Sequence, residues 1–170
     1  DAIAVFSHNA SKAHTVKTVS SAAELLGTSR VVFLCIKPQD FYKLAPFTTE
    51  ESRHLIIISI MAGVRTANIR NIFTGARVVR TMQNLHIKIG EGVIGWCLTK
   101  AEFSSTEYTL LEKLFSVFGL SVPLRDEGML DALTAIAGSG PAYVFLFANA
   151  LIRSAESLGF DKKTAERIVL

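Results

Sequence analysis

Glycine is absent ahead of Gly27, so no G-x-G-x-x-G follows the first apolar run, IAVF. The strand and glycine turn that would seat a pyrophosphate on a helix N-terminus are therefore not expected within these residues. Cysteine is scarce too: Cys35 lies in VVFLCI and Cys97 in IGWCLT. Two thiols in apolar runs exclude a disulfide framework and a thiolate metal site, and predict buried thiols in a reducing compartment, the cytoplasm. His8, His14, His54 and His86 lack ligand spacing, so no metal is expected. Charge of one sign is not concentrated. The 18 Lys and Arg residues exceed the 15 acids by three but are scattered, which argues against a nucleic-acid partner. Long apolar runs are missing as well: LIIISIMAGV and YVFLFANALI span only about ten residues, against the roughly 20 of a spanning helix. Neither a membrane segment nor a signal peptide is expected.

What is present is a core. Nearly half the residues (49%) are hydrophobic and the mean hydropathy is +0.36, enough for one or two packed domains. IAVF (residues 3–6) reads as a buried strand. SSAAELLG reads as a short helix with a Ser21/Glu24 capping box and a stop at Gly27. VVFLCI and LIIISI are continuous apolar runs of the kind buried on both faces of a parallel sheet. DFYKLAPF and TANIRNIF have helical spacing, and RVVRTM returns as a strand. VIGWCL is a further strand, and TEYTLLEKLFSVFG sets Leu110, Leu111, Leu114, Phe115 and Phe118 on one stripe before Gly119. LSVPL completes an α/β unit over residues 1–125. From Asp126 the pattern is helical only: EGMLDALTAIA, a GSG corner, and a helix opened by Pro141 and stopped by Gly159. AYVFLFANALI is apolar nearly all round, so further helices or another subunit are expected to cover it.

Ligands of open parallel sheets collect at the carboxyl ends of strands. SHNASK, KPQD and MAGV stand in such places. The first holds Ser7, His8, Asn9, Ser11 and Lys12, donors without an acid. That suits a 2'-phosphate, although an ordinary polar loop has the same composition. Lys37 and Pro38 would stiffen the second loop, and the small Ala62 and Gly63 would let a flat ring approach the third. Asp126, Glu127 and Asp131 cluster at the start of the helical half, where acids also serve simply to offset the helix dipole.

DALTAIAGSGPAYVFLF resembles the signature of pyrroline-5-carboxylate reductase, with a near-continuous match from Glu127 through Tyr143. VVFLCIKP, SIMAGV, RVVRTMQN and GEGVIGW are similar to further segments of that family in the family's order. The resemblance implies a Rossmann-like NAD(P)-binding domain, without its first strand and glycine loop, followed at 126–170 by the start of an all-helical dimerisation domain. It implies hydride transfer from NADP(H), or alternatively NAD(H), to the imine 1-pyrroline-5-carboxylate, giving L-proline in the last step of proline biosynthesis. A homodimer or larger homo-oligomer is the implied assembly. Ser7, His8, Asn9, Cys35, Ile36, Lys37, Pro38, Ala62 and Gly63 match cofactor-binding positions. Glu127, Asn84 and Ser139 match the substrate site, and no side chain is singled out as a catalytic acid or base. MQNLH departs from the family's MPNTP, so a related NADP-dependent imine or hydroxyacid reductase, or a non-catalytic nucleotide-binding relative, stands as the alternative.

Overall fold

The computed structural model describes residues 3–6, 16–47 and 50–170. A five-stranded sheet runs in the order β3 (Val31–Leu34), β4 (Ile56–Ser59), β5 (Arg77–Gln83), β6 (Gly92–Leu98), β7 (Gly119–Pro123). β3, β4 and β5 are parallel, β6 is antiparallel to β5, and β7 is parallel to β6. A separate two-stranded parallel ribbon joins β1 (Ala4–Val5) to β2 (Lys17–Thr18). The expected strand over residues 3–6 is thus only two residues long, and Ile3 is exposed rather than buried.

The apolar runs of β4 and β5 are explained by cover on both faces. Val32, Leu34, Ile57 and Val78 point to one face, where α2 (Thr66–Ile72) packs Ile69, Ile72 and the following Phe73 against them. Ile58, Val79, Ile94 and Trp96 point to the other, under Leu111 and Phe115 of α3 (Ser105–Ser116). Period-two alternation places adjacent apolar residues in different cores. β3 departs from the expectation: it alternates, and Val31 and Phe33 are exposed because α3 does not reach this edge. Leu110 likewise leaves the expected α3 stripe and is exposed. DFYKLAPF forms 3-10 turns over Pro38–Phe47 rather than an α-helix.

Caps follow the sequence unevenly. In α1 (Ala22–Thr28) the Ser21 side chain accepts from Glu24 N–H, but Glu24 reaches back to Ser20 and the helix runs through Gly27. The full capping box belongs to α3, between Ser104 and Glu107. At the far end, Gly159 at φ +102 ends α5 (Gly140–Ser157) as expected, its N–H donating to the Glu156 carbonyl.

The GSG segment is not a corner. α4 (Gly128–Leu133) passes into a π-helical turn over Thr134–Gly138 and on into α5, so that Gly128–Ser157 is one helical run. Ser139 N–H donates to the Thr134 carbonyl, five residues back, which inserts the extra residue of a π turn. That run is long and apolar enough to cross a membrane by length and composition alone. Uninterrupted apolar stretches in the sequence do not reveal a run of this length. α4 lies on the α2 face of the sheet, with Leu130 buried and Leu133 packed over Gly95 of β6, where a larger residue would collide. α6 (Lys162–Val169) is capped by Asp161 and folds back on α5.

Candidate active site

Three structural decisions converge at one end of the sheet. The parallel register sets Leu34 beside Ser59, so the loops after β3 and β4 emerge together, with Ile60 N–H donating to the Leu34 carbonyl. Arg80 rises from β5 on the face shared with α2 and α4. The start of α4 then lies across the start of α2. Between them is a cavity of about 190 Å³ lined by Gly63, Arg65, Arg80, Glu127, Gly128 and Asp131.

Its chemistry centres on Glu127. The carboxylate Oε1 accepts from Thr66 N–H at 2.7 Å, from Thr66 Oγ1 at 2.9 Å and from Arg80 Nη1 at 2.7 Å. Burial, the largest single influence, pushes this carboxyl up. The Arg80 guanidinium and the two Thr66 donors together outweigh it and hold the group below the ordinary carboxylate range. Arg80 is buried to 5% side-chain exposure, whereas Glu127 keeps 32%. Next to them, burial followed by the negative charge of Glu127 pushes the Cys97 thiol up to about 11, so it stays protonated. Cys35, expected to be buried, is exposed: it follows the last residue of β3 on the uncovered side.

The residues anticipated from sequence divide by position. Ser7, His8 and Asn9 lie outside the described residues. Cys35, Ile36, Lys37 and Pro38 follow β3, and Ala62 and Gly63 follow β4, at adjacent strand ends. Gly63 adopts φ +73 and has open space where a Cβ would be. Of the residues singled out from sequence, Gly63, Glu127 and Asp131 line the cavity. Asn84 is committed elsewhere: its Nδ2 donates to the Ala137 carbonyl of the π turn and its Oδ1 accepts from Val93 N–H. It ties the helical run to β6. Ser139 takes part in the π turn through its backbone and does not line the cavity. Thr66, Arg65 and Arg80 were not anticipated. The signal for Arg80 was present, since RVVRTM sets a charge inside an otherwise buried strand.

Residues 127–170 match the family model described as pyrroline-5-carboxylate reductase dimerisation, and residues 4–63 that described as NADP oxidoreductase coenzyme F420-dependent. The chain is 35% identical over 160 residues to a pyrroline-5-carboxylate reductase of Pseudomonas aeruginosa, covering 91% of this chain and 57% of that protein. It is 34% identical over 147 residues to that of Aquifex aeolicus, covering 86% and 54%. Among solved structures, Plasmodium falciparum pyrroline carboxylate reductase with NADP bound superposes with a TM-score of 0.82 at 25% identity, over 98% of this chain and 63% of that one. The Coxiella burnetii reductase does so with a TM-score of 0.77 at 29% identity, over 91% and 58%. The chain spans a little over half the length of the relatives it matches. In sequence and in fold it is related to the pyrroline-5-carboxylate reductases, with an α/β Rossmann-like unit followed by a helical segment of their dimerisation type.

Proposed function

We propose that the protein reduces 1-pyrroline-5-carboxylate to L-proline with NAD(P)H, the last step of proline biosynthesis, in the cytoplasm. The observation that carries this reading is an ionised Glu127 held at the wall of a cavity formed between the sheet and the helical run. A carboxylate there suits a small cyclic cation, and the relatives' activity names one. A bound NAD(P)H would supply hydride to the carbon of the protonated C=N, with the C=N electron pair passing to nitrogen. The remaining work is positioning, which this chain performs with few side chains. Glu127 favours the charged iminium over the neutral imine.

The exposed loops at the ends of β3 and β4 fit a dinucleotide. Cys35, Ile36, Lys37 and Pro38 would flank it, Ala62 and the open Gly63 would admit its flat ring, and Ser7, His8 and Asn9 would meet a 2'-phosphate. Residues 1–125 form the nucleotide half in this reading, and 126–170 open the dimerisation half, whose apolar helix is covered by a second copy. Asn84 and Ser139 support the substrate side by shaping the π turn.

The decisive experiment is NADPH and NADH oxidation by the whole protein with pyrroline-5-carboxylate. Turnover is expected, with kcat/KM for the imine lowered about 10- to 100-fold in Glu127→Gln. Absence of turnover would overturn the reading and point to Leu85, which stands exposed in the altered MQNLH segment, as the place where specificity changed.

A further inference from the structure

Arg80 is a buried cation whose Nε has no hydrogen-bond partner. Placing a guanidinium in a sheet core is costly unless its charge is matched. Its match is Glu127, at 2.7 Å through Nη1, while Nη2 lies 3.5 Å from the Met61 carbonyl. The pairing is one-sided. All three donors converge on Oε1, two from Thr66 and one from Arg80, and Oε2 accepts from nothing among the described residues.

Glu102 and Glu107, which also hold arginines from other elements, behave differently. Glu102 takes Arg70 Nη2 on both oxygens, and Glu107 divides its two between Arg77 and Ser104. Both have each oxygen engaged, and neither lines the cavity at Glu127. Glu127 is one-third exposed, lines the cavity and keeps an oxygen in reserve.

We propose that Arg80 and Thr66 are positioning residues that grip Glu127 by one carboxylate oxygen and present the other, fixed and ionised, to a cationic ring N–H in the cavity. The inference rests on the reductase reading for the identity of that cation. It assigns Glu127 the role of binding anion and not of proton donor. Because Thr66 opens α2, Arg80 belongs to β5 and Glu127 precedes α4, the grip also registers the helical run against the sheet at the site.

The test uses the whole protein with Thr66→Val, Arg80→Lys and Arg80→Gln. Two readouts are taken: kcat and KM for imine and for NADPH across pH, and the Glu127 carboxyl titration followed by carbon NMR, which needs no turnover. Arg80→Gln is expected to raise KM for the imine about 10- to 100-fold with KM for NADPH nearly unchanged. Its acid limb of kcat/KM moves to higher pH, because an unpaired carboxyl protonates earlier. Arg80→Lys restores most of both, and Thr66→Val moves both in the same direction by less. Should Arg80→Gln fail to fold, Thr66→Val carries the test. An unmoved Glu127 titration with imine turnover intact overturns the grip and leaves the reductase reading standing. A moved titration in a protein that reduces no imine supports the grip and sinks that reading instead.

Discussion

At the scale of the residue, backbone space decides as much as charge does. Gly119 opens β7 at φ +128, and a Cβ there would drive into the backbone of Gly92 on β6. Gly119→Ala therefore combines a disfavoured φ with a backbone clash, and is expected to cost at least about 1–3 kcal/mol in urea unfolding. Gly27 gives the opposite sign. It sits inside α1 with nothing near its Cβ position, so Gly27→Ala is expected to stabilise by about 0.5–1 kcal/mol. Equal midpoints for the two variants would refute this account. The sequence reads Gly27 as a helix stop, whereas α1 runs through it, and it gives no sign of the constraint on Gly119. A stop signal is local, whereas the approach of Gly92 to Gly119 comes from a pairing 27 positions apart in the register of β6 and β7. Arg80 and Thr66 escaped notice for the same reason, since their shared partner Glu127 lies 47 and 61 residues further on.

At the scale of the element, α3 is the best anchored helix outside the site. Ser104 and Glu107 cap each other, and Arg77 of β5 holds Glu107 at 2.7 Å. The Ser104 backbone N–H first, then the Arg77 guanidinium and the Ser104 hydroxyl, bring the Glu107 carboxyl down from 4.5 to about 2. A carboxylate depressed in the folded state contributes stability above its unfolded value, and that contribution disappears as pH falls through the folded value. The difference in Tm between the parent and Glu107→Gln is thus expected to be full above pH 4.5 and to shrink toward zero near pH 2. A difference independent of pH would exclude the assignment. Ser104→Ala should lose about 1 kcal/mol at neutral pH, as a lost N-cap does. The sequence reading places its capping box at Ser21/Glu24 and not here, and the strength of this box is not local: Arg77 arrives from a strand 30 residues away.

At the scale of the whole molecule, the helical run carries two surfaces of opposite character. α4 buries Leu130 on the sheet, while beyond the π turn Tyr143, Val144, Phe145, Leu146 and Phe147 are each more than 60% exposed. Five successive apolar residues point in every direction around a helix, so no single neighbour within the sheet could cover them. In the proposed assembly a second copy does, and sedimentation of the whole protein should give at least a dimer, with Phe147→Asp shifting it toward monomer at unchanged helicity. A monomeric parent protein would defeat that assembly. The amino-acid sequence by itself determined strands β4 to β7 with α2 and α3 between them, the two-sided burial of β4, the apolar character of α5 and the family likeness, because period, caps and motifs are written within a few residues of one another. Only the tertiary structure decided that GSG continues a helix through a π turn, that Asn84 ties that turn to β6, and that Arg80 and Thr66 grip Glu127. These depend on which distant donor meets which acceptor, and chain-distant pairing is set by the packing of the sheet and helices.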